Sequence, residues 1–172
     1  MDEPHRPVFS AALALAVMLL LLVNAFFSTS GFLVLDHVNL PFHEFGHLVF
    51  GIAGDWIGIW GGTVMQLIIP LGISIAFLLR GESAGALFCL SWTGENLLNI
   101  SVYIADARSM ALPLVGGGEH DWNIILSELG LLQHDIAIAR GIRFAGWTVM
   151  LSSLFALATV NIRHRTGKEK KS

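Results

Sequence analysis

The sequence predicts an all-α fold, a polytopic membrane helix bundle of about four to five transmembrane helices containing one shorter HExxH helix. Three observations lead there. The chain is 54% hydrophobic and only 13% charged, with mean hydropathy +0.67, whereas soluble domains carry about 25% charged residues. Apolar runs of roughly 20 residues, the length needed to cross a bilayer, recur along it. The strongest polar motif, His43-Glu44-Phe45-Gly46-His47, is flanked by Leu40, Pro41 and Phe42 before and Leu48, Val49 and Phe50 after.

The length of 172 residues suits one integral-membrane domain covering 1–172. A first span is expected over 8–27, retained because no small-x-small cleavage pattern follows it. A polar break at 28–31 leads to an apolar stretch, 32–40, interrupted by Asp36, His37 and Asn39. Pro41 suits a helix start, so the motif helix is expected over 42–53 and ends at Gly54-Asp55. At 1.5 Å per residue it is about 18 Å long, a half-span. Residues 57–62 extend it or form a short turning element, and 63–79 form a span kinked at Pro70.

After a polar loop at 80–83, a span over 84–105 carries Glu95, Asn99 and Asp106 on one face. Ionisable groups in a span face the bundle interior or a water-filled cavity, so this stripe is expected to face the motif helix. Pro113 and Gly116-Gly117-Gly118 open a loop to Glu119-His120-Asp121-Trp122. A short helix over 123–132 and a mixed stretch over 133–141 precede the last span, 142–162. The tail, with Arg163, Arg165, Lys168, Lys170 and Lys171, favours a cytoplasmic C-terminus. The net charge of -3 and the absence of a basic face give no nucleic-acid signal. The single cysteine, Cys89, excludes an intrachain disulfide and a cysteine-based zinc site.

Histidines four residues apart lie on one helix face and can reach one zinc ion, with the intervening glutamate placed to take a proton from a zinc-bound water. A charged group near the bilayer centre is disfavoured by about 2.5–3.5 kcal/mol on insertion scales, and a divalent cation is the most economical way to offset two histidines and a glutamate in an apolar helix. The expected metal ligands are His43 and His47, with Glu44 as catalytic base and Zn2+ as cofactor. A third ligand is needed. The candidates are Glu95, Asp106, His120, Asp121 and His134. The His120-Asp121 pair is favoured, one as ligand and the other nearby, because the glycine-rich loop before it can fold around a metal. Ordinary crossings would instead bring Glu95 level with the motif, so the favoured pair requires the region 107–139 to dip back.

On the residues His43-Glu44-Phe45-Gly46-His47 at the head of an apolar helix, followed by Gly61-Gly62, the chain resembles the site-2-protease-like membrane zinc metallopeptidases. Tyr103-Ile104-Ala105-Asp106-Ala107-Arg108, Gly116-Gly117 and His120-Asp121-Trp122 before Leu129-Gly130 stand where that family's later aspartate-bearing segment would fall, in place of an Asn-Pro-x-x-Asp-Gly pattern. The resemblance implies a small, single-domain bacterial member in the inner membrane. It also implies zinc, Glu44 as base, and a membrane-protein or peptide substrate cut in or near the lipid bilayer. The alternative from a different class is a non-catalytic metal-binding membrane protein, either a degenerate peptidase scaffold or a metal handler. Glu44 speaks for the enzyme, since metal storage needs no base between the ligands. A di-metal oxidase or haem protein would need a paired-histidine cluster, and none follows His47.

Overall fold

The computed structural model describes residues 10–28, 33–112, 114 and 120–169, with only the backbone of 162–169. These residues form six α-helices and one short 3-10 turn, with no strand among them. The helices are α1 (Ala11–Phe27), α2 (Asp36–Gly51), α3 (Asp55–Leu79), α4 (Ser83–Asp106), α5 (Asp121–Glu128) and α6 (Asp135–Glu169). The start of the expected first span, the triple glycine with Pro113, and the last residues of the basic tail lie outside the described residues.

Several expected boundaries are corrected. The motif helix begins at Asp36, not at 42, so Pro41 lies inside α2. The Leu35 carbonyl accepts from Val38 and Asn39 N–H at 2.8 and 2.9 Å, and the Asp36 carboxylate accepts from Leu33 N–H at 2.7 Å. The polar residues read as an interruption therefore build the first turn. Pro41 forgoes one backbone bond, to the carbonyl four residues back. Residues 57–62 neither extend α2 nor form a turning element of their own: they belong to α3, which runs unbroken from Asp55. Gly54, with φ 117°, makes the turn between α2 and α3, a conformation open to glycine at little cost.

Two helical segments are long and apolar enough to cross a membrane: α3, with a hydropathy of 2.0, and the stretch Leu132–Asn161 through most of α6, with 1.4. α1 is apolar but shorter. α4 was expected to be a span, yet it is the most enclosed helix, burying Ser91, Thr93, Glu95, Asn96, Asn99 and Ser101 between its neighbours. A helix polar on several faces is accommodated only where other helices surround it, and α1, α3 and α6 do so. Gly94 and Gly146 let α4 and α6 touch: a Cβ on Gly94 would meet the Gly146 carbonyl oxygen at 2.9 Å and Met150 Cγ at 2.7 Å. Around that contact Leu22, Leu33, Leu98 and Met150 form one core cluster. Ile100, Ile104, Ala107, Leu126 and Ala139 form another beneath α5.

α2 and α3 form an antiparallel hairpin, since partner numbers fall as the chain rises: His43 with Gln66, Gly46 with Gly61, His47 with Gly58. At the crossing the two backbones are in direct contact through Gly46 and Gly61. Small residues of this kind let helices approach closely. Behind the hairpin, Asn39 ties α2 to α4. Its Nδ2 donates to Glu95 Oε2 at 2.9 Å, and its Oδ1 accepts from Trp92 Nε1 at 2.7 Å. The stripe on α4 thus does face the motif helix at Glu95.

Candidate metal centre

The hairpin fixes both imidazoles through their Nδ1 atoms. A backbone carbonyl can only accept, so His47 Nδ1–H donates to Gly58 O at 2.8 Å. His43 Nδ1 lies 3.1 Å from Gln66 Oε1, another acceptor, and donates to it. Each ring then leaves its Nε2 free on the side the two rings share, with centroids 4.7 Å apart. Metal-binding histidines are characteristically oriented in this way through their second nitrogen. The space at the Nε2 atoms exists because residue 62 is glycine: a Cβ there would lie 2.5 Å from His43 Nε2 and 2.6 Å from His47 Nε2.

The third group comes from α5. Asp121 Oδ2 lies 3.0 Å from His43 Nε2 and 3.1 Å from His47 Nε2. Three ligand-type atoms, all within 4.8 Å of one another, therefore meet at one point. With both Nδ1 atoms protonated, two Nε2 atoms face one carboxylate oxygen, an arrangement balanced by positive charge between them, whether a proton on a ring or a divalent cation. Zinc–ligand distances of 2.0–2.1 Å in a tetrahedron put ligand atoms about 3.3 Å apart, so the donor set fits zinc in type and spacing.

The chain does fold back after α4, and it divides the favoured pair. Asp121 joins the histidines, while His120 caps α5: its Nδ1 accepts from Asn123 N–H at 3.2 Å and its Nε2 lies 3.4 Å from Asp106 Oδ2. Asn123 Nδ2 donates to the Ala107 carbonyl at 2.7 Å, clipping α5 to the end of α4. With His120 as the cap of α5, the Asp121 carboxylate is left for the histidines.

The remaining candidates stand elsewhere. Glu95 is fully buried beside Asn39. Asp106 accepts from Ser109 Oγ and from the N–H groups of Ala111 and Leu112, closing the end of α4. His134 is exposed in the turn before α6.

The triad opens into a cleft of about 570 Å3 whose lining includes Glu44, Thr63, Tyr103 and Trp122. Glu44 is exposed there, within reach of water. Trp122, next to Asp121, packs edge-on against Trp60 of α3, with centroids 5.6 Å apart. Sequence reasoning missed Gly58, Gly62, Thr63 and Gln66 as parts of this site. The available signal was Gln66, a lone amide in an apolar helix, with Thr63 and Gly62 one turn before it on the same face.

Gln66→Leu removes the acceptor from His43 Nδ1 at little change in volume. Zinc affinity is expected to fall about 10–100-fold, the usual consequence of losing such a partner. Competition with a chromogenic chelator measures it, and unchanged affinity would remove Gln66 from the site.

No family model, no curated protein and no solved structure matches this chain.

Proposed function

We propose that this chain is a membrane-embedded zinc metallopeptidase that hydrolyses peptide bonds in or near the bilayer. His43, His47 and Asp121 are its metal ligands and Glu44 is its base. The observation that carries the reading is the convergence of the two Nε2 atoms and Asp121 Oδ2, with both Nδ1 atoms already engaged. The resemblance to site-2-protease-like peptidases, which rests on the HExxH residues and Gly61-Gly62, agrees with it.

A bilayer setting is supported by α3 and α6 and by the apolar surface. Leu20 is 67% exposed, Ile52 90%, Leu79 85% and Phe155 73%. Large apolar side chains stay exposed on α1, α3 and α6 alike, and lipid covers such surface without cost. We place the protein in a bacterial inner membrane with the basic tail on the cytoplasmic side; a membrane protein or peptide is the substrate.

The chemistry that zinc supplies at such a centre is Lewis acidity toward the scissile carbonyl and toward water. The protein's residues do the rest. The Gly58 carbonyl and Gln66 hold the imidazoles in the ligating tautomer. Asp121 balances charge. Glu44, one residue after His43 and open to the cleft, takes the proton from the attacking water and passes it to the leaving amine.

Glu44→Gln keeps the shape and removes the base. Activity on a model transmembrane peptide in vesicles should drop at least about 100-fold, in line with general-base contributions, with zinc content unchanged. Cleavage at the wild-type rate by Glu44→Gln would leave a metal-binding protein without this mechanism.

A further inference from the structure

A hydroxyl on a helix normally satisfies itself by donating to a carbonyl three or four residues back. In this structure Thr93 donates to the Cys89 carbonyl, Thr148 to Phe144, Ser153 to Val149 and Thr159 to Ala156. Thr63 does not. Its Oγ1 is buried and without a partner, although the side chain lines the cleft and is only 6% exposed. A buried hydroxyl left unpaired costs about 1–3 kcal/mol, which an acceptor brought to it through the cleft would recover. Ser91 is the other buried hydroxyl without a partner among the described residues, and it does not line the cleft.

The place of Thr63 on α3 says which ligand. Gly62, immediately before it, lies against both Nε2 atoms, and Gln66, one turn later, holds His43. Thr63 stands on the same stretch of α3 and lines the same cleft as His43, Glu44, His47 and Asp121.

We propose that Thr63 Oγ1 donates a hydrogen bond to the substrate carbonyl oxygen as negative charge develops on it. This rests on the peptidase reading and adds a residue to it. When the water oxygen bonds to the scissile carbonyl carbon, the π pair of the C=O bond moves onto oxygen, and Glu44 removes the water proton. Thr63 keeps its own proton throughout and lends only the O–H dipole. Donors positioned where charge develops are worth about 100–1,000-fold in turnover.

The test uses the full chain, zinc-loaded, in phosphatidylglycerol–phosphatidylcholine vesicles with a model transmembrane peptide. Thr63→Val is close to isosteric and deletes the donor; Thr63→Ser keeps it. Zinc content and helicity are measured for each, with Thr63→Ala substituted if the valine variant fails to fold. The expected result is a kcat about 100-fold lower or more for Thr63→Val, with KM and zinc content near wild type and Thr63→Ser close to wild type. Affinity for a phosphinic peptide, whose tetrahedral oxygens imitate the charged carbonyl oxygen, should fall in parallel with kcat, which a merely structural role would not cause. Wild-type kcat and phosphinate affinity in Thr63→Val overturn this inference and leave the peptidase reading standing. A zinc-loaded wild type that cleaves no peptide and binds no phosphinate overturns both.

Discussion

Gly62→Ala is expected to abolish zinc binding at the proposed centre and leave the helices standing. The added methyl group would sit 2.5 Å from His43 Nε2 and 2.6 Å from His47 Nε2, far inside van der Waals contact. What it meets is the far end of two side chains, which can swing away by changing rotamer at a cost of order 1 kcal/mol. The fold therefore survives. The two lone pairs no longer converge on Asp121, and zinc loses its ligand set. Affinity should fall by more than about 100-fold, beyond the loss of a single supporting partner. Zinc content after gel filtration reports the loss, and unchanged helicity shows that it is local. A Gly62→Ala protein that holds stoichiometric zinc would mean the imidazoles do not point where the structure puts them.

Gly46→Ala has the opposite signature, although it changes the residue next to His47 by the same methyl group. Its Cβ would collide with the Gly61 carbonyl, which is backbone and cannot turn aside. Met65 Cβ, at 2.7 Å, blocks the other direction. Overpacking costs about 1–3 kcal/mol where side chains can adjust and more where they cannot. Against a total stability of about 5–15 kcal/mol, a loss of about 3 kcal/mol or more should show as poor folded yield and a sharply lower Tm in detergent. Zinc loss would follow as a consequence. A Gly46→Ala variant as stable as wild type would contradict the close crossing of α2 and α3.

These two glycines also show what was legible in the sequence. Helix formation, the all-α class and the shared face of His43 and His47 follow from hydrophobic periodicity and i, i+4 spacing, which are local. Asp121 was within reach because a loop rich in glycine before a His-Asp pair can be shaped around a metal. The division of labour within that pair was not legible, because it depends on which residue becomes the cap of α5, and both side chains can cap. The start of α2 was misplaced because Pro41 is compatible with a first turn and also tolerable in a second. Asp36 and Asn39 look like loop residues in an apolar stretch; Asp36 is held by the nearby Leu33 N–H, but Asn39 is held by Glu95 and Trp92, which come from distant sequence. The same holds for Gln66 and Thr63, whose roles exist only once α3 lies antiparallel to α2. The polar content of α4 read correctly as inward-facing. Its consequence, a central helix wrapped by apolar neighbours, required the close contact of Gly94 with Gly146 on α6.

The most direct test of the account is X-ray absorption at the zinc edge on purified protein, wild type beside Asp121→Asn. The expected result is one zinc per chain with only nitrogen and oxygen ligands at about 2.0–2.1 Å, including two imidazoles, and a loss of zinc or a changed shell in Asp121→Asn. Protein that takes up no zinc from a zinc-supplemented preparation, or a zinc shell that Asp121→Asn leaves untouched, contradicts it.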